Sequence, residues 1–161
     1  MRFSRILVPT DFSTGAQHAA FTAMELAAAT GGSVKLVHLY NPPSLMLPDG
    51  STFAATPAQL LESTDRAEAA LAEELHALRA RSDARVQVDG CTLMGAAAAE
   101  ILRLAESGRY DLIVMGTHGR TGIRRLMLGS VAETVLRHAP IPVLTVREPE
   151  APAARADAEA H

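Results

Sequence analysis

Between Met115 and Val131 the chain reads M-G-T-H-G-R-T-G-I-R-R-L-M-L-G-S-V, placing Gly116, Gly119, Gly122 and Gly129 beside Arg120, Arg124 and Arg125. Glycine lets a backbone N–H come close to an anion, and a guanidinium meets phosphate in a two-pronged geometry. The apolar run from Tyr110 to Met115 has the make-up of a buried strand, and Ser130-Val-Ala-Glu133 has the Ser-x-x-Glu spacing of a helix start. A glycine-punctuated loop therefore joins the C-terminal end of a strand to the N-terminus of a helix. In open α/β sheets ligands bind at that place, and the helix start adds unpaired N–H groups and positive potential. The same glycines can serve merely as a tight turn, and the same arginines as a solvated face.

Spacing separates this loop from two better-known phosphate loops. A P-loop needs G-x-x-x-x-G-K-[ST], and no Gly-Lys pair occurs in the chain. The dinucleotide fingerprint needs G-x-G-x-x-G after the first strand, whereas Gly116, Gly119 and Gly122 come late and are separated by two residues each. At the other end, Asp11 follows the apolar run Ile6-Leu7-Val8. An ionised carboxylate only accepts hydrogen bonds, so Asp11 suits a ribose hydroxyl or an exocyclic amine, or else caps the helix that follows, a role for which Ser13 is the alternative. His118, between two loop glycines, could reach a phosphate or a metal, or simply be exposed. His18, His38, His76 and His138 show no ligand spacing, and His138 reads as favourable charge at a helix C-terminus. Hydrolysis would need a positioned water and a base. No carboxylates cluster beside the loop, so the residues support binding better than turnover.

The elements that must position these residues alternate. Ile6–Val8 suits a central strand covered on both faces. Alanine-rich helical spacing follows from Ala16 to Ala29, ended by Gly31-Gly32. Val34–Tyr40 is the second strand. Residues 41–55, with three prolines and no periodicity, read as a mobile surface loop. Thr56-Pro-Ala-Gln59 starts a helix whose Leu60, Leu61, Ala67, Leu71, Leu75 and Leu78 form one face to about Arg81, with charges on the other. Val86 and Val88 mark a strand nearer an edge, and helices are expected at Ala96–Ala105 and Ser130–His138, with a last strand at Val143–Val146. Five strands and four helices in this alternation imply right-handed β-α-β units and a parallel sheet. At 161 residues, one domain is expected, and 15 Lys plus Arg against 18 Asp plus Glu argue against a dedicated nucleic-acid binder. Cys91 stands alone and fits a reducing compartment, and no apolar run has the length of a signal peptide or membrane span. A cytoplasmic location is expected, with no membrane partner. Residues 148–161, rich in Ala and charge, are expected to be disordered.

The spacing G-x2-G-x9-G-S, carried by Gly116, Gly119, Gly129 and Ser130, resembles the ATP-binding branch of the universal stress protein family. The similarity extends to Ile6-Leu-Val-Pro-Thr-Asp11-Phe-Ser, Val37-His-Leu39 and Pro142-Val-Leu-Thr-Val146, covering residues 2 to 147. It implies an α/β fold of the adenine nucleotide alpha hydrolase-like, Rossmann-like kind. That fold has an open five-stranded parallel sheet of order 3-2-1-4-5 with helices on both faces, bringing Asp11 beside Gly116. It implies ATP, with magnesium, as ligand: Pro9, Thr10, Asp11 and Leu39 toward the nucleoside, Met115 and Gly116 against the ribose, and the N–H groups of Gly119, Gly129, Ser130 and Val131 toward the phosphates, where the reading of the residues themselves adds His118 and Arg120. It further implies a homodimer through Val143–Val146 and a nucleotide-dependent regulator of the stress response. Two other functions stay open. One is an interaction module that binds no nucleotide; the other is an enzyme, either a weak ATPase or a phosphotransferase that modifies itself, with Thr117, Thr121 and Ser130 as acceptors.

Overall fold

In the computed structural model, which describes residues 3–41, 44–46, 52–117 and 128–147, Ile6, Leu7 and Val8 of β1 (Arg5–Thr10) have no exposed surface. A strand that is apolar on both faces belongs in the middle of a sheet covered twice. β1 is flanked by β2 (Ser33–Tyr40) on one side and β6 (Leu112–Gly116) on the other, both parallel to it. β5 (Gln87–Met94) and β7 (Val143–Val146) are the edges, also parallel, giving the order β5-β2-β1-β6-β7. Counting only these five strands in chain order, this is the expected 3-2-1-4-5.

α1 (Thr14–Thr30) and α2 (Pro57–Arg81) cover one face, packing Ala19, Ala20, Ala23, Ala27, Leu71 and Leu78 on Ile6, Val8, Val34 and Leu36. α3 (Ala97–Glu106) and α4 (Ser130–His138) cover the other, with Ile101, Leu104, Ala132 and Val135 on Leu7, Val37, Ile113 and Met115. Gly31 ends α1 in the left-handed conformation, φ 69°, as the Gly-Gly pair predicts. The capping box expected at α2 is present, Thr56 and Gln59 satisfying each other's backbone. His138, in the last turn of α4, places Nδ1 2.9 Å from the Thr134 carbonyl oxygen.

Four expectations need correction. Residues 41–55 are not without regular structure, because β3 (Ser44–Met46) and β4 (Thr52–Ala54) pair antiparallel; strands this short leave no readable alternation. Leu61, assigned to the buried face of α2, is 64% exposed. Glu74, assigned with the charges to the solvent face, is buried, because it shares the stripe of Ala67, Leu71 and Leu78. Ser130 does not cap α4. The cap is Gly129, whose extended backbone (φ −61°, ψ 147°) is held by donation of its N–H to the Thr117 carbonyl at 2.9 Å. Glu133 instead pairs with Arg137 at 2.9 Å. Residues 148–161 lie outside the described residues. Among the described residues no helix is long and apolar enough to cross a membrane.

Candidate functional site

A cavity of about 210 Å³ lies at the C-terminal ends of β1, β2 and β6, where the chain leaves β1 toward one face and β6 toward the other. Pro9, Thr10, Asp11, Leu39, Met115, Gly116, Gly129, Ser130 and Val131 all line it. Segments far apart in the chain thus meet at one switch point, and Asp11 does stand beside Gly116. His118, Gly119 and Arg120, with Thr121, Arg124 and Arg125, lie outside the described residues. Ala16, Ala97, Ile101, Thr117 and Ala132 also line the cavity and were not anticipated as lining residues. They come from the first turns of α1 and α4, the first two turns of α3 and the residue after β6; the strand–turn–helix passage at Gly95–Ala97 was the available signal.

Three helix N-termini converge here, and they are not equivalent. α1 is capped: Ser13 Oγ accepts from the Ala16 N–H at 3.3 Å. α3 begins after Ala96 and α4 after Gly129, and neither receives a side-chain cap. The first N–H groups of a helix have no intrahelical acceptor, so two helix ends direct donors and positive potential at the cavity. Asp11 supplies the opposite character on the β1 side. Its Oδ1 accepts from the Ser13 N–H at 3.1 Å and the Ser13 hydroxyl at 2.6 Å, which fixes the carboxylate while Ser13 does the capping. Donors on one wall and a carboxylate on the other suit a ligand with an anionic end and a hydroxyl-bearing end.

Gly116 has a packing role that its spacing did not reveal. A β-carbon there would sit 2.9 Å from the Gly15 carbonyl carbon and 3.2 Å from the Ala16 nitrogen, so α1 rests directly on this glycine. Gly129 adopts angles open to any residue; its contribution is the absence of a capping side chain.

Behind Asp11, on the α1/α2 face, the end of β1 is tied down by buried polar contacts. The Thr10 hydroxyl donates to Glu74 Oε2 at 2.8 Å and accepts from the Phe12 N–H at 3.1 Å. The Thr10 carbonyl accepts from His38 Nδ1 at 2.9 Å, so that nitrogen carries a proton. Phe12 has φ 65°, costly for an L residue with a bulky side chain, and its ring lies 4.2 Å from that of His38. Burial pushes the Glu74 carboxyl above the ordinary carboxylate value of 4.5; the Thr10 hydrogen bond opposes that and the charge of Asp11 adds to it.

Among the described residues no three His, Cys, Asp or Glu side chains are grouped to hold a metal ion. Magnesium accompanying a nucleotide needs few protein ligands, because phosphate oxygens and water supply most of its octahedron. A wider basin of about 890 Å³ lies at the opposite ends of the strands, lined by Arg5, Lys35, Arg79 and Arg109 among others. Its cations are already engaged: Lys35 with Asp89 at 3.2 Å, Arg79 with the Val88 carbonyl, Arg5 with the Gly108 carbonyl and Arg109 with the Ser107 hydroxyl. It also straddles both faces of the sheet, which leaves the smaller, convergent cleft as the candidate site.

The family follows from sequence similarity over nearly the whole chain. The universal stress protein family profile matches residues 2–147, and universal stress protein MJ0531 of Methanocaldococcus jannaschii is 34% identical over 153 residues, 92% of this chain and 84% of its own. The chain belongs to the universal stress protein family. Among solved structures, that of protein MJ0577 from the same archaeon matches this universal stress protein with TM-score 0.72 at 23% identity, over 94% of this chain and 100% of that one. A universal stress protein in complex with cAMP has TM-score 0.68 at 23% identity, covering 92% of this chain and 100% of that one. The protein from Archaeoglobus fulgidus in complex with dAMP has TM-score 0.61 at 21% identity, covering 91% and 99%. One from Arabidopsis thaliana with AMP bound has TM-score 0.59 at 17% identity, covering 91% and 93%. These likenesses are of the Rossmann-like fold.

Proposed function

We propose that this universal stress protein binds an adenine nucleotide, ATP with magnesium, in the cleft between β1 and β6, and acts as a nucleotide-dependent regulator in the stress response. The observation that carries the reading is the convergence on one cavity of two helix N-termini without side-chain caps and a fixed carboxylate, Asp11. The helix ends take the phosphates, with the N–H groups of Ser130 and Val131 as donors and Gly129 leaving room for approach. Asp11 accepts from the ribose, Pro9, Thr10 and Leu39 border the base, and Met115 and Gly116 lie along the sugar. His118, Gly119 and Arg120 complete the phosphate side. Structural neighbours in complex with cAMP, dAMP and AMP support an adenine nucleotide as the ligand class. β7 is the sheet edge, and Leu144 on it is 38% exposed; pairing with a second copy through Val143–Val146 covers that edge.

Calorimetric titration with ATP and magnesium, with AMP and with GTP tests the reading. Binding of adenine nucleotides in preference to GTP, lost in Asp11→Ala, is the expected result. Equal affinity of wild type and Asp11→Ala for ATP would remove the site assignment. Absence of phosphate release on prolonged incubation would separate binding from hydrolysis.

A further inference from the structure

Glu74 is the one carboxylate that the described structure buries, and it is buried on the back of the cleft. One oxygen, Oε2, receives the Thr10 hydroxyl at 2.8 Å; the other, Oε1, is buried with no hydrogen-bond partner among the described residues. A half-satisfied buried carboxyl is costly, and leucine on the same stripe would pack without that cost. What Glu74 holds is the turn in front of it. The Thr10 oxygen that donates to Glu74 accepts from the Phe12 N–H at 3.1 Å, and Phe12 carries the left-handed backbone, φ 65°, between Asp11 and Ser13. A strained residue persists where its surroundings over-determine it, and strain of this kind collects at binding sites.

We propose that Glu74 is a positioning residue of the cleft: bonded through the Thr10 hydroxyl to the Phe12 amide, it holds the turn that presents Asp11 to the ligand, and its proton occupancy is linked to ligand affinity. This rests on the reading of the cleft as a nucleotide site. Of the elements packed around Glu74, the neighbouring helix α1 carries two titratable groups, His18 and Glu25. Asp11 follows β1, and β2 carries His38 and Tyr40 on this face, His38 bonded to the Thr10 carbonyl and Tyr40 with its hydroxyl 2.8 Å from Thr64 Oγ1. β5 presents Val88, Gly90, Thr92 and Met94 here, none of which titrates. Phosphate charge brought into the cleft disfavours an ionised Glu74 further, so ligand binding takes up protons through it and affinity rises as pH falls.

The test is calorimetry with AMP between pH 5.5 and 8 on wild type, Glu74→Gln and Glu74→Leu. Gln keeps an oxygen for the Thr10 hydroxyl and cannot ionise; it should bind within about twofold of wild type at the acid end and lose the component of pH dependence that wild type shows. Leu removes the anchor and should weaken binding about five- to tenfold, the loss of one buried hydrogen bond. Identical pH profiles and affinities in all three would overturn the proposal. If Glu74→Leu does not fold, or wild type binds no AMP, the nucleotide-free protein still decides. With His38 replaced by Gln, to remove the imidazole that lies against Phe12, the Phe12 amide resonance should follow a titration that persists when Asp11→Asn is added and vanishes when Glu74→Gln is added. A Phe12 amide that ignores Glu74 refutes the link, whereas absent AMP binding with a responsive amide refutes only the assignment of the ligand.

Discussion

Replacing Ser130 by proline deletes one N–H from the proposed phosphate wall while leaving the helix intact. Ser130 is the first residue of α4, and its N–H lies among those that no intrahelical carbonyl accepts, so the helix loses nothing by its removal. Proline requires an extended residue before it, and Gly129 already has φ −61° and ψ 147°. Ser130 is exposed, so the pyrrolidine ring has room. The melting temperature should therefore hold within about 2 °C. An N–H to a phosphate oxygen is a charge-assisted bond contributing about 1.5–3 kcal/mol, so ATP affinity should fall about ten- to a hundredfold. Ser130→Ala is the control, because it removes the hydroxyl and keeps the N–H; it should lose less than about fivefold. Calorimetry with ATP and with adenosine separates phosphate from nucleoside contacts, and the loss should be confined to ATP. A folded Ser130→Pro that binds ATP within twofold of wild type would show that this helix start does not carry the phosphates.

Gly116→Ala places a β-carbon 2.9 Å from the Gly15 backbone, so α1 must shift; overpacking of this kind costs about 1–3 kcal/mol, read as a melting temperature lowered by about 3–10 °C. Unchanged stability would mean that α1 does not rest on that glycine. Leu144→Glu puts a charge on the exposed edge of β7 and should convert dimer to monomer in sedimentation equilibrium; the same mass for both proteins, dimeric or monomeric, would refute dimerisation through this strand. The raised Glu74 pKa means that the folded state holds this proton more tightly than the unfolded chain. Its contribution is therefore fully present below the unfolded value near 4.5 and is lost as pH rises through the folded value. Glu74→Gln should accordingly be more stable than wild type at neutral pH, with the gap closing on acidification; chemical denaturation at several pH values checks the sign.

The strand–helix alternation, the caps of α1 and α2, the glycine stop at Gly31 and the four long strand and helix pairs around the sheet were legible in the chain, because each is written in neighbouring residues. Residue type and the end of a strand also sufficed to nominate Asp11 and the Gly129–Ser130 passage, which line the cleft. Tertiary structure alone decided the rest. Glu74 looked like one charge among many on α2, and only the packing of that helix over β2 and β5 turned its stripe inward. Gly116 owes its identity to Gly15, remote in sequence and adjacent in space. Ala97 and Ala132 carry no chemistry in their side chains; they matter because the fold turns the first turns of α3 and α4 toward the same cleft as Asp11. Local pattern specifies which segments bury a face, whereas the choice of partner for that face is made by all segments at once.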